Sequence, residues 1–340
     1  MRKFLIFFLC LFFTLSGRAF AKDISPLILT IRNYPLTKEE RTYIKKVNPY
    51  GFIFVTKDFK KHIDFTALKN QLNKLLKHKV YFFVDQEGGP VNRLRYLYPK
   101  KKFPSAEYYG NIAATQGIKK AEKLVFKNAK KMARLLSSIS MDVNLAPNAE
   151  VRPPNYTGFF NKRIFSEDPN ISLILSQAFA DGTLAGGVEP CYKHFPGTAL
   201  SKVDPHEGIS VINDVSLNDL SNREFVPFAP IMNYKYVLIG HALYPQIDAE
   251  NISTFSPKFY NILRNDFAFE GLIITDALNM KASGDASIGQ KIAMSLSAGA
   301  DLAMPFFDYD MPFEDRLKEL EKIPPQIIKD FNRKISSMGL

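Results

Sequence analysis

Eight short runs of β-branched, aromatic and aliphatic residues recur along the chain, at 27–31, 51–55, 80–85, 141–146, 188–193, 236–240, 272–276 and 301–304. Between them lie longer stretches, of which 119–136, 171–184, 257–267 and 288–298 carry the clearest 3.6-residue apolar period and read as amphipathic helices. Strand then helix, repeated, is the pattern of a parallel sheet, and eight strands is the number that closes a (β/α)8 barrel. An open doubly wound sheet would show the same alternation. The polar residues separate the two. Asp85, Lys193 with His194, His241 and Asp276 each fall at or just after the C-terminal end of a different run, where a barrel assembles its site; an open sheet gathers its site at one crevice. The expected fold class is therefore α/β, a single-domain (β/α)8 TIM barrel. A barrel of roughly 250 residues plus insertions fits the length, and no repeat, low-complexity tract or linker marks a second domain. The longest connections, 86–117 and 148–170, contain Pro and Gly and little apolar periodicity, and loops of that length are usually functional.

The N-terminus reads as an address. Arg2 and Lys3 precede an apolar run over 4–15, and Ala19-Phe20-Ala21 supplies a small-x-small cleavage site, which is the tripartite pattern of a signal peptide at 1–21. The run is too short for a stable membrane span, so export to the periplasm or beyond is expected, with residues 22–340 as the mature domain. The net charge of +11 stays positive after Arg2, Lys3 and Arg18 are lost, which suits a polyanionic neighbourhood. The lysines are scattered, as in Lys60, Lys61, Lys77, Lys119 and Lys130, so a solvated basic surface is read rather than a nucleic-acid groove. With Cys10 inside the signal segment, Cys191 has nothing to pair with in the chain; no internal disulfide and no cysteine zinc site are expected.

Four segments carry candidate chemistry. In Asp85-Gln86-Glu87-Gly88-Gly89-Pro90-Val91-Asn92-Arg93 a carboxylate at a strand end precedes a glycine pair that lets backbone approach a ligand, or simply makes a tight turn capped by the Asp. Lys193-His194-Phe195-Pro196-Gly197 runs on to Asp204-Pro205-His206, offering donors for a sugar and a titratable acid. Asp276 ends an apolar strand, where a carboxylate is costly unless paired or used; a helix N-cap is the plain alternative. The loop 161–169 carries Arg163 within ligand reach, and by itself only feeds a helix capped near Asp168.

Taken in order, Asp-Gln-Glu-Gly-Gly, Asn144-Leu145-Ala146-Pro147, the Arg163 loop with Glu167-Asp168-Pro169, Lys-His-Phe-Pro-Gly, Asp-x-His and Phe269-Glu270-Gly271 leading to Asp276 resemble glycoside hydrolase family 3, specifically its single-domain β-N-acetylglucosaminidases. The resemblance implies a catalytic barrel in which Asp276 is the nucleophile and His206 the general acid/base oriented by Asp204. Asp85, Arg93, Arg163, Lys193 and His194 match positions that grip the terminal sugar, with His241 beside the cleft. It implies a carbohydrate substrate bearing terminal β-linked N-acetylglucosamine, drawn from peptidoglycan or its fragments, with no cofactor, no metal, no nucleic-acid partner and a monomeric state. Three positions depart from the family pattern: Thr198-Ala199 replaces His-Gly, Ala277 replaces the second Asp of an Asp-Asp pair, and Pro90 replaces an arginine. Histidine in place of a second carboxylate lessens repulsion of an incoming anion, so phosphorolysis stands beside hydrolysis. A β-glucosidase-like activity and a catalytically silent carbohydrate-binding protein are the other readings.

Overall fold

The computed structural model describes residues 23–61, 63–158, 160–201, 203–204 and 206–340; the signal segment read at 1–21 lies outside them. Eight parallel strands close a barrel: β1 (Ser25–Leu29), β2 (Pro49–Phe54), β3 (Tyr81–Val84), β4 (Val143–Asn144), β5 (Glu189–Phe195), β6 (Tyr236–Ile239), β7 (Leu272–Ala277) and β8 (Leu302–Met304). Each pairs with its sequence neighbour, and Leu27 opposite Ala303 closes the ring. All eight coincide with the apolar runs of the sequence.

Both faces of every barrel strand are covered, which is why the runs are continuously apolar. The two-residue period survives as two cores. Phe82 and Val84, Val237 and Ile239, and Ile273 point out to the helices, whereas Tyr81 and Phe83, Tyr236 and Leu238, and Leu272 and Ile274 fill the interior. The N-terminal mouth is plugged: Phe331 and Ile335 of the C-terminal helix Pro325–Ser337 pack there. The Tyr50 ring meets Phe331 edge-on, and its hydroxyl lies 2.7 Å from that of Tyr236. At the opposite end Ile53, Leu145, Leu238 and Met304 form an apolar floor that is open above.

The helices follow the sequence where the apolar period is strong. Ile118–Ser138 and Pro169–Ala185 are long and pack on each other, the second capped by Asp168 through Asn170 N. The stretch 257–267 is helical but changes to a π-turn over Ile262–Asp266. The connection 86–117 is more ordered than its composition implies, for it holds a short hairpin and the helix Ala106–Gln116. That helix buries only Tyr109 and Ala113, one i, i+4 pair, too narrow an apolar stripe to stand out in the sequence. Among the described residues no helix is long and apolar enough to cross a membrane.

One close approach fixes the Arg163 loop. A Cβ at Gly110 would lie 1.7 Å from the carbonyl oxygen of Phe165, so the helix Ala106–Gln116 touches the loop backbone where only hydrogen fits. Gly110→Ala is expected to destabilise the protein by roughly 1–3 kcal/mol through overpacking, read as a lower urea midpoint; an unchanged midpoint would show that the loop yields freely.

Candidate active site

The site stands on the strand ends. Asp85 directly follows β3, and the next residue, Gln86, is locked to β4 by a reciprocal pair: Gln86 N donates to Asn144 Oδ1 and Asn144 Nδ2 to Gln86 O, both at 2.9 Å. This seats the hairpin so that Glu87 points inward. The glycine pair serves the hairpin itself. Gly88 and Gly89 have φ of 95° and 52°, and a Cβ on either would strike Pro104 or Ser105 of the same chain; the close approach is to the chain's own backbone.

Around Glu87 the protein buries a compensated set of charges. Lys193 Nζ, at the end of β5, lies 2.7 Å from both Asp85 Oδ1 and Glu87 Oε1. Arg163 holds Glu87 in a fork, Nε to Oε2 at 2.9 Å and Nη2 to Oε1 at 2.7 Å. Burial opposes ionisation of Glu87, but Arg163 and Lys193 outweigh it and hold its carboxyl well below the usual carboxylate range. Two cations thus face two carboxylates. The side chains of Lys193, Glu87 and Arg163 are 3%, 7% and 8% exposed against 27% for Asp85, so Asp85 is the member most open to the cavity.

A second buried carboxylate fixes His194 and the turn after it. Glu150 Oε2 is 3.0 Å from His194 Nδ1, and Oε1 accepts from Thr198 Oγ1 at 2.7 Å and Ala199 N at 2.9 Å. Burial works against the Glu150 charge, yet His194 and the Thr198 donors lower its carboxyl pKa. With an anion as partner, Nδ1 of His194 carries hydrogen, and Nε2 is the atom left for the cavity side. Thr198 is thus a buried donor.

Asp276 stands at the end of β7, its Oδ1 accepting from Ala277 N at 2.7 Å. Burial raises its pKa, but His194, His241 and Lys193 prevail and lower it, so the group is an anion at neutral pH. His241 is held by Thr254 Oγ1 at 2.6 Å from Nδ1 and by Ala277 O at 3.1 Å from Nε2. Burial dominates and lowers its pKa. The carbonyl of Ala277 can only accept, so Nε2 of His241 carries hydrogen and donates to it. His241 therefore steadies the backbone that carries Asp276.

His206 comes from the loop after β5 and is the exposed member, with 57% of its side chain accessible. Asp204 Oδ1 accepts from His206 N at 2.9 Å and lies 2.8 Å from Nδ1. The loop is tied at both ends, by Glu150 at Thr198 and Ala199 and by the parallel pairing of Ser210 and Val211 with Ala242 and Leu243. Asp85, Arg93, Arg163, Lys193, His194, His206, His241 and Asp276 all line one cavity of about 540 Å³, with Asp204 behind His206. Glu87 and Glu150, which sequence reasoning did not single out, organise that wall from beneath. A carboxylate two residues beyond Asp85 was the visible signal for Glu87; Glu150 sits in an otherwise unremarkable loop. The opening is the size of a small ligand, polar on one side and closed below by the barrel floor.

The family model for the glycosyl hydrolase family 3 N terminal domain matches residues 27–337. The chain belongs to glycosyl hydrolase family 3. Among its relatives are a beta-hexosaminidase of Neisseria meningitidis serogroup B, 28% identical over 304 residues, which cover 88% of this chain and 82% of that one, and a beta-hexosaminidase of Stenotrophomonas maltophilia, 27% identical with 82% of each chain covered. Its fold superposes on NagZ from Neisseria gonorrhoeae in complex with N-trifluoroacetyl-D-glucosamine with a TM-score of 0.79 at 25% identity, covering 92% of this chain and 90% of that one. In this family 3 barrel Ala277 presents a methyl group to the cavity, and Pro90 lies exposed at the hairpin tip.

Beneath the turn at Gly197 lies Glu224, almost wholly buried, with Oε1 on Arg223 and Oε2 without a hydrogen-bond partner among the described residues. Burial, reinforced by the nearby Glu150 charge and only partly countered by Arg223, pushes its carboxyl up to about 7. A pKa raised on folding contributes stability that is full below about 4.5 and is lost as pH rises through about 7. Wild-type stability is expected to fall by about 3 kcal/mol between pH 4.5 and 8 from this group, and Glu224→Gln to flatten that decline in urea unfolding. Parallel pH profiles for the two proteins would refute the assignment.

Proposed function

We propose that this family 3 barrel is a retaining exo-β-N-acetylglucosaminidase that uses Asp276 as nucleophile and His206 as general acid/base. The observation that carries the reading is that an ionised Asp276 and an Asp204-held His206 line the same sugar-sized cavity. The N-acetylglucosamine preference is supported by kinship with proteins named beta-hexosaminidase and by the N-trifluoroacetyl-D-glucosamine held by the similar NagZ.

In the first step Asp276 attacks the anomeric carbon, and the bond to the aglycone oxygen breaks as His206 gives that oxygen its proton. Asp204 accepts from Nδ1, so Nε2 is the atom that exchanges the proton. In the second step Nε2 takes a proton from water, whose oxygen displaces Asp276 and restores the β-configuration. Asp85 accepts from sugar hydroxyls while Lys193 fixes it, and Arg93 and His194 offer further polar contacts along the same wall. Because His206 rides on a loop and is exposed, closure over bound sugar brings it to the scissile oxygen and excludes water.

The leader read at 1–21 supports export, which makes cell-wall peptidoglycan or its shed fragments the natural source of terminal β-linked N-acetylglucosamine. The protein is proposed to act there as a monomer, free of a membrane span once the leader is removed.

A 5-fluoro N-acetylglucosaminyl fluoride should trap a glycosyl ester on Asp276, located by peptide mass spectrometry. Asp276→Ala is expected to lose at least a thousandfold in kcat on 4-nitrophenyl N-acetylglucosaminide. His206→Ala should lose much more on an alkyl aglycone than on 4-nitrophenyl, whose oxygen leaves without a proton. Labelling elsewhere, or an Asp276→Ala enzyme as fast as wild type, would end this mechanism; faster release from an aryl glucoside would instead make the protein a β-glucosidase.

A further inference from the structure

The long helix Ile118–Ser138, between β3 and β4, has two faces of unlike chemistry. Ala121, Val125, Ala129, Met132, Ala133 and Leu136 are buried in the core between helices and barrel. Lys120, Lys123, Lys127, Lys131 and Arg134 follow one another at intervals of three or four residues, and all five are exposed. At about 100° of turn per residue that spacing makes a single row, on the side of the helix opposite the buried one. Lys119 and Lys130 broaden it. Glu122 is the one acidic residue of this helix, and it stands off the row, lining a groove against the helix Pro169–Ala185 together with Phe126 and Asp181. With a rise of about 1.5 Å per residue the helix is roughly 30 Å long, and the row occupies most of that length.

None of these cations has a carboxylate within 4 Å among the described residues. Other outer helices mix the two signs. Lys318 lies 2.8 Å from Asp315, Lys322 lies 2.9 Å from Glu319, and Arg333 pairs with Asp330; the helix Lys38–Val47, between β1 and β2, sets Glu39 and Glu40 among its cations. The excess of basic residues in the chain therefore does not by itself produce the row. Like charges three and four residues apart repel each other and weaken a helix, and a layer of anions lying against the row removes that repulsion.

We propose that this row docks the barrel on the surface of a bilayer that contains anionic phospholipid. A row on the outermost line of a helix meets a plane along its whole length, so all of its cations reach headgroup phosphates together. A single-stranded nucleic acid instead takes a groove with aromatic rings on which bases stack, and the one aromatic residue of this helix, Phe126, stands at the edge with Lys130 Nζ 5.9 Å from its ring centre. The apolar face is committed to the core, so contact stays at the level of the headgroups. It is Coulombic, and it weakens as salt screens it. Helices flank a barrel of this kind along its side, whereas the cavity opens at the strand ends; the docked protein keeps its mouth uncovered, and lipid binding is separable from turnover.

The test uses the chain from residue 22 onward, which contains the whole barrel and lacks the apolar run at 4–15 that would bind lipid on its own account. In sedimentation at about 50 mM NaCl it should bind phosphatidylcholine vesicles containing about 30% phosphatidylglycerol, bind pure phosphatidylcholine at least tenfold more weakly, and lose most of its binding at about 300 mM NaCl. Lys123→Glu/Lys127→Glu/Lys131→Glu should bind the anionic vesicles at least tenfold more weakly while turning over 4-nitrophenyl N-acetylglucosaminide in solution as wild type does. Lys38→Glu/Lys45→Glu/Lys46→Glu, which changes net charge equally on another helix, should bind within about twofold of wild type, as should Lys123→Arg/Lys127→Arg/Lys131→Arg. Equal loss in the two glutamate variants would reduce the effect to net charge and overturn the docking face. So would equal binding to both kinds of vesicle, or capture of a single-stranded oligonucleotide without capture of the anionic vesicles.

Discussion

Burying a charge without its counterion is prohibitively costly, and the cavity wall is arranged around that constraint. Glu87, Lys193 and Arg163 are nearly sealed from solvent and come from three separate segments, the hairpin after β3, the end of β5 and the loop after β4. Removing one partner of a buried pair typically costs about 3–5 kcal/mol, because the other is left uncompensated. The three segments are therefore bound to one geometry. The supports follow from it: the Gln86–Asn144 amide pair seats the hairpin, and Gly110 lets a helix rest on the loop carrying Arg163.

This gives the site one half set on strand ends and one half carried by a loop. Asp85, Lys193, His194, His241 and Asp276 sit on strand ends or directly after them, each with a named contact. Side chains held in this way keep the precision that catalysis needs. His206 alone is presented by an exposed loop. Glu150 joins the halves, for the same carboxylate that orients His194 accepts from Thr198 and Ala199 where the loop carrying His206 begins. The Thr198 hydroxyl donates to Glu150 and so secures the root of that loop.

The charge of the protein reads differently at two scales. Spread over the sequence, the lysines and arginines look like a solvated surface, and most of them are. In the fold the distribution is uneven, with Lys193 and Arg163 neutralised on the cavity wall and the cations of the helix Ile118–Ser138 gathered in one exposed row. Read in order, Lys120, Lys123, Lys127, Lys131 and Arg134 look scattered, and helical winding puts them on one face.

The barrel, and most of the residues that line its open cavity, were legible in the residue order. Strands buried on both faces must be apolar at every position, so eight such runs show plainly, and a polar residue ending a run marks the open rim; Asp85, Lys193, His194, His241 and Asp276 were all legible in this way. The family motifs added Arg93, Arg163, Asp204 and His206. The sequence did not show the helix Ala106–Gln116, whose apolar stripe is two residues wide, nor Glu87 and Glu150 as organisers of the wall. Their importance lies in partners 76 and 44–49 positions away, and such pairings are set only when closure of the ring brings distant strand ends together. Which carboxylates are buried and compensated, and which one stays open to the cavity, was fixed only by the tertiary fold.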